Sequence, residues 1–339
     1  MLPEVLLGFL VFIKLFAMKI INLGALFIVF VFLIGTAQAD SINTNDFKKA
    51  QKAMAAGDYG KAFKEYRRIA KKDNNPLAHF SLGLFFENGW GRPVNRGKAC
   101  KHFKEAAQGD IPFGAHLYAE CLEDGVNGPA DYEQAAVWYK KAAELGYNMS
   151  LCSLAELYMT GKGVPKNPQK AVELCQQSAR QASVPAQVKV GRFYLEGDES
   201  IRNYQTAIKW FEYAAERNNP EAQYYLGVIV RDGHAGPMKP GADRYYFELA
   251  AAQGYVPAYF QTGKLYFNAP VDPETGWISE NDLAKAYMWL SATVKRTEDK
   301  EESTAAEEML KKISEVMPKT WEPDLDHKVV HHLEEYHLN

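Results

Sequence analysis

The stretch at residues 155–173, AELYMTGKGVPKNPQKAVE, ends one helix and starts another. Ser150, Leu154, Ala155, Leu157 and Tyr158 fall on one face at 100° per residue, so the first half reads as an amphipathic helix. Gly161 suits the left-handed residue that closes a helix, where a side chain is penalised. Asn167 can cap the next helix by accepting from its exposed backbone N–H groups. Pro168 follows at the position where a missing N–H costs nothing.

With Ser150 as position 0, the same marks recur from Ala78, Gly114, Ala186, Ala222 and Ala258, every step being 36 residues. Position +5 is always tiny (Gly83, Ala119, Ala155, Gly191, Gly227, Gly263), which lets a neighbouring helix approach closely. Position +8 is large and apolar, from Phe86 to Tyr266, and +11 is glycine except at Ala269. Asn95, Asp131, Asn167 and Asn203 stand at +17 as N-caps of a second helix. That helix carries alanine at +21 and a ring at +24 (Trp138, Trp210, Tyr246), expected to pack in the core.

The ends depart from the pattern, as terminal repeats do. Residues 46–75 keep the second-helix register, since Tyr66 and Ala70 lie 36 before His102 and Ala106, but turn through Gly57-Asp58-Tyr59-Gly60. Lys239-Pro240 replaces the cap in the Ala222 unit. In the Ala258 unit Trp289 comes seven residues late, which implies an inserted loop. After a charged linker, Glu298 to Glu302, residues 303–317 read as a capping helix, and residues 318–339 as a solvated, histidine-rich tail.

The quoted stretch, together with AAVWYKKAAELGY at residues 135–147, closely resembles the Sel1-like repeat family, relatives of tetratricopeptide repeats. The resemblance covers about residues 76–296, as units 76–111, 112–147, 148–183, 184–219, 220–255 and 256–296, and residues 46–75 are more like a tetratricopeptide unit. It implies an all-α fold, an α/α solenoid in which antiparallel helix pairs wind into a right-handed superhelix with a concave face for partners. Bacterial members typically work as envelope or secreted adaptors, so the expected function is an exported scaffold for protein–protein interaction. A cysteine-rich branch of the family binds and hydrolyses penicillins, which makes a penicillin-binding protein or β-lactamase-type hydrolase the alternative from another class. In that branch each repeat pairs a cysteine near the start of its first helix with one at the end of its second. Here only the Ser150 unit has two cysteines, at +2 and +25. A scaffold for polysaccharide or flagellar machinery is a further alternative.

The amino terminus carries the parts of a secretory leader: Met18-Lys19, an apolar run from Ile20 to Gly35, and the small-x-small site Ala37-Gln38-Ala39. The expected start is Met18 and the expected mature residue Asp40, within a targeting region at residues 1–39. No later run approaches the ~20 apolar residues of a membrane span, so none is expected after cleavage. Export puts Cys100, Cys121, Cys152 and Cys175 in an oxidising compartment, periplasmic or external. Cys100 and Cys121 lie equally far from the turn near Asp110-Ile111, and Cys152 and Cys175 from the loop near Val164, which pairs them as two disulfides. A net charge of −3 argues against nucleic acid as partner.

No G-x-S-x-G, S-x-x-K, H-E-x-x-H or P-loop occurs, so no catalytic residue and no cofactor is expected. Positions +3, +6 and +10 of the first helices point off the packed stripe and should line the concave surface. They hold Glu120, Asp124 and Glu156, then Lys189, Arg192, Tyr225 and Lys264, an acidic-to-basic gradient suited to an extended polar partner. Trp277, in the inserted loop, belongs to no repeat position and is a candidate partner contact or a lid over the solenoid's last open edge. If the tail is helical, His327 and His331 share a face one turn apart, the spacing that seats Zn, Ni or Cu.

Overall fold

The computed structural model describes residues 44–336 except Met238, Thr275 and Trp277. The expected leader and Trp277 therefore lie outside the described residues. Those residues form sixteen α-helices and no strand. The chain divides after Tyr147 into two compact units.

The first unit contains α1 (Thr44–Ala55), α2 (Tyr59–Asp73), α3 (Pro76–Asn88), α4 (Arg96–Gln108), α5 (Pro112–Glu123) and α6 (Tyr132–Glu144). The second contains α7 (Ser150–Thr160), α8 (Pro168–Arg180), α9 (Val184–Glu196), α10 (Tyr204–Ala215), α11 (Pro220–Arg231), α12 (Ala242–Ala252), α13 (Val256–Phe267), α14 (Glu280–Arg296), α15 (Lys300–Val316) and α16 (Glu322–Glu335). Within each unit the helices pack mainly against their neighbours in sequence, the pattern of stacked helix pairs, except that α16 packs against α14.

Each pair is closed by the same two devices. Asn95, Asp131, Asn167 and Asn203 accept from the backbone N–H three residues on, at 2.8–3.0 Å. The backbone N–H of each same residue donates back to the +8 carbonyl of the first helix: Phe86, Leu122, Tyr158 and Tyr194, at 2.8–2.9 Å. One residue thus starts the second helix and ties it to the first. The Ala222 unit lacks the device, because its second helix starts at Gly241 with no side-chain cap.

The tiny residue at +5 has a specific neighbour. A β-carbon at Gly191 would stand 2.7 Å from the Phe211 ring, and one at Gly83 or Gly227 would collide in the same way with Phe103 or Phe247. These rings stand at +25 and are fully buried. The expected core rings at +24, Trp138, Trp210 and Tyr246, are only half-buried. The inner ring is therefore one residue further along than the sequence reading placed it. In the Ala258 unit the insertion puts Leu290 over Gly263 instead. In the Ser150 unit +25 is Cys175, which faces Cys152 at disulfide distance with Cα atoms 4.2 Å apart. Cys100 and Cys121 stand 5.8 Å apart between α4 and α5.

Four sequence readings are altered by the structure. Gly197 is not left-handed, with φ −71° and ψ −171°. It serves close approach instead, since a β-carbon would lie 2.2 Å from the Phe193 carbonyl oxygen. The first turn is shorter than Gly57-Asp58-Tyr59-Gly60, because Asp58 accepts from the Lys61 N–H and so caps a helix already under way at Tyr59. The Glu298–Glu302 linker is mostly helix: Asp299 accepts from the N–H groups of Glu301 and Glu302 and starts α15 at Lys300. Residues 322–335 are not a solvated tail. Leu325, Val329 and Leu333 are buried on one face of α16, Arg296 donates to the Leu333 carbonyl at 2.7 Å, and Tyr287 donates to Asp326 at 3.0 Å. The His332 ring stands edge-on to Trp289, with its Nε2 3.2 Å from the Tyr259 hydroxyl.

Position +32, after the second helix, is left-handed in every unit that has it, through Asp110, Gly146, Ala182, Asn218 and Gly254. Ala182, at φ +64°, is the one ordinary side chain among them. Ala182→Gly should therefore raise stability by about 1 kcal/mol, the relief of β-carbon crowding less the added unfolded-state freedom, read by chemical denaturation. Gly191→Leu should do the opposite, costing at least about 1–3 kcal/mol by overpacking against Phe211, with a lower melting temperature. Replacing Cys152 and Cys175 by alanine should cost about 3 kcal/mol. Unreduced peptide mapping establishes the bridge, and melting with and without reductant reads its contribution.

Candidate partner-binding face

The residues expected to face a partner lie on first helices, off the buried stripe, and most are held by neighbours. In the first unit, Glu120 is 3.2 Å from the Nε2 of His116, one turn back on α5. Asp124 accepts from Arg96, whose Nε is 3.6 Å from Glu87. The hydrogen bond to Asp124 holds the Arg96 guanidinium above its ordinary pKa.

In the second unit the repeat register is visible in the contacts. Glu156, at +6 on α7, pairs with Lys189, at +3 on α9. Arg192, at +6 on α9, lies 5.6 Å from the ring centre of Tyr225, at +3 on α11. Each +6 side chain so placed meets the +3 side chain of the next pair. Arg192 is also 3.3 Å from Glu196 and 3.8 Å from Glu221. Burial works to lower its pKa, but Tyr225 and the two carboxylates outweigh it and raise the value.

Tyr225 stacks on Phe211 with ring centres 5.0 Å apart. Burial, with help from Glu196, pushes its phenol up to about 12, so it stays a neutral hydrogen-bonding group. Tyr224 stands edge-on to Tyr225 and 5.4 Å from Tyr255. Burial raises the Tyr255 phenol too. Lys264 is exposed, 5.9 Å from the Phe260 ring centre, with no ion pair among the described residues.

The acidic-to-basic gradient is thus largely cancelled in the second unit. Lys189 and Arg192 sit on carboxylates, and what remains is Lys264 with a mixed polar and aromatic surface. The sequence reading missed Glu196, Glu221, Tyr224 and Tyr255. Glu196 was within reach, because it occupies +10 as Asp124 does. His327 and His331 are both exposed on α16, and no group of three or more potential metal ligands gathers among the described residues. No described helix is long and apolar enough to cross a membrane.

Stacked pairs with fixed caps, a small-residue seam and an outward ladder of side chains define a helix-pair repeat protein. Comparison with known families matches the Sel1 repeat at residues 76–110, 112–147, 148–183, 184–219 and 220–255, and the chain belongs to that family. The match ends before the Ala258 unit, where the inserted loop breaks the spacing. Among solved structures, the chain is similar to c5321, a protective antigen of uropathogenic Escherichia coli with the same type of fold. The two share 23% identity and a TM-score of 0.63, over 81% of this chain and 56% of that one. The chain thus spans little more than half the length of c5321. It is also similar to a Sel1 repeat protein from Oxalobacter formigenes, at 22% identity and a TM-score of 0.61, over 74% of this chain and 99% of that one. No curated protein matches the sequence.

Proposed function

We propose that this chain is an exported adaptor that holds an extended polar segment of a partner protein against the first helices of its second unit. The observation that carries the reading is the ladder formed by Glu156 with Lys189 and Arg192 with Tyr225. It places charged and aromatic groups at the repeat spacing, with Tyr225 seated on the core ring Phe211 and the three charged side chains outside the core. An extended segment laid across the ladder meets two successive steps of this kind, from α7 to α9 and from α9 to α11. The seam behind it is filled, since Ala155, Ala171, Ala186, Ala207, Ala222 and Ala258 are wholly buried. The charged members of the ladder are therefore distinct from the residues that hold the seam. Export is supported by the leader-like residues 18–39 and by cysteines that pair, because disulfides persist where the surroundings are oxidising. The same pairing leaves no free thiol among the described residues to act as a nucleophile.

A photo-crosslinking amino acid in place of Tyr225 should capture a discrete partner in envelope extract, and one in place of exposed Tyr213 should not. Combining the Tyr225 probe with Lys189→Glu, Arg192→Glu and Lys264→Glu should abolish the adduct. Loss of the exposed ion pairs should cost less than about 1 kcal/mol each, so circular dichroism should be unchanged. Adducts at Tyr213 alone, or adducts that survive the triple reversal, place the partner elsewhere.

A further inference from the structure

One place in the repeat holds chemistry that the adaptor reading does not use. Positions +1 and +24 hold Ala115 and Trp138, Leu151 and Leu174, Gln187 and Trp210, and Gln223 and Tyr246 in successive units. In the Ala258 unit the corresponding residues are Tyr259 and Trp289, which stack with ring centres 5.6 Å apart. Only the Ala78 unit puts imidazoles at both places, His79 on α3 and His102 on α4. Their Nδ1 atoms face each other at 3.0 Å, and both rings are half-buried.

That separation suits a shared ion. Imidazole nitrogens bind transition metals at about 2.0–2.1 Å, so two meeting at a right angle lie about 2.9 Å apart, and at the tetrahedral angle about 3.4 Å. The two nitrogens, which share a hydrogen bond in the metal-free protein, are thus already at the separation that a shared ion requires. The His102 ring is held in place, stacked on Phe86 with ring centres 5.7 Å apart and planes within 9°. Glu105 follows His102 by three residues on the same face of α4, a carboxylate within a turn of the pair. Arg92 and Lys98 lie 5.2 and 5.5 Å from the centre of the Phe86 ring on which His102 stacks.

We propose that His79 and His102 form a two-imidazole site for copper(II), completed by water, with Glu105 as a nearby carboxylate and not a ligand. Copper(II) is favoured over its divalent neighbours by the affinity order of nitrogen ligands, and its tetragonal geometry accepts two nitrogens at a right angle. The site binds the ion and leaves positions open to solvent or to a partner's own ligand.

The probe is copper(II) chloride titrated into the full mature chain, followed by calorimetry and by electron paramagnetic resonance of the frozen sample. The wild type should take up one ion at this site and show nitrogen coordination. His79→Gln and His102→Gln should each weaken binding at least about tenfold, and Glu105→Gln should weaken it less. His327→Ala with His331→Ala, which removes the exposed pair on α16, should leave the ion in place. Absence of binding to the wild type overturns the proposal. So does loss of binding only in the His327→Ala, His331→Ala variant, which identifies a surface chelate instead. Should either glutamine variant fail to fold by circular dichroism, anomalous diffraction from copper-soaked wild-type crystals decides the matter. Copper between the two rings supports the site, and copper elsewhere only refutes it.

Discussion

The fold depends on one contact: a large side chain of the second helix seated on bare backbone of the first. Phe103 over Gly83, Phe211 over Gly191, Phe247 over Gly227 and Leu290 over Gly263 repeat it. A ring can come this close only where no β-carbon stands in the way, so the tiny residue at +5 sets the spacing of each pair. The +17 residue then fixes the register, by capping the second helix with its side chain and holding the first through its backbone N–H. The left-handed residue at +32 turns the chain for the next pair. A period of 36 is what remains when these three marks recur together.

Because the pairs are held from inside, charged side chains such as Glu156, Lys189 and Arg192 at the +3 and +6 positions of the second unit stay outside the core, whereas Tyr225 packs on it. Yet these positions are not independent. Glu156 finds Lys189, 33 residues on, and Arg192 finds Tyr225 at the same interval, one period less three. A partner laid along the second unit therefore meets steps built from two pairs each, and no single repeat carries the specificity. The fold alone does not name that partner.

The period, the tiny residues and the four side-chain caps were legible because each rests on a residue type with few substitutes. The inner ring was not. Trp138-Tyr139, Trp210-Phe211 and Tyr246-Phe247 put two large rings side by side, and helical periodicity separates them by only 100°. Which of the two faces inward is decided by the tiny residue opposite (Ala119, Gly191 or Gly227), twenty residues away. The last helix had a legible signal in Leu325, Val329 and Leu333, spaced four apart, but its many charges hid it. The charge gradient misled for a different reason. Residue type shows sign, whereas cancellation depends on which helix stands alongside, and that is known only once the interval of 33 is seen.

The two cysteine pairs do different work, and the repeat makes the difference intelligible. Cys100 and Cys121 join the second helix of one pair to the first helix of the next, where stacking already supplies apolar contacts such as those of Ala106, Ile111 and Leu117. Cys152 and Cys175 lie within one pair, and Cys175 stands where the others have a ring or a leucine. A thiol fills far less of that seam than Phe211 does. An array of nearest-neighbour contacts offers no distant interaction to make up the loss. Joined to Cys152, the same atom becomes a covalent tie across the seam, and the pair no longer needs the ring. Under the proposed export to an oxidising compartment, the disulfide takes the place of the ring that the Ser150 unit lacks. A chain folding without oxidation would have its weakest pair at α7 and α8, and it is there that the sequence places two cysteines.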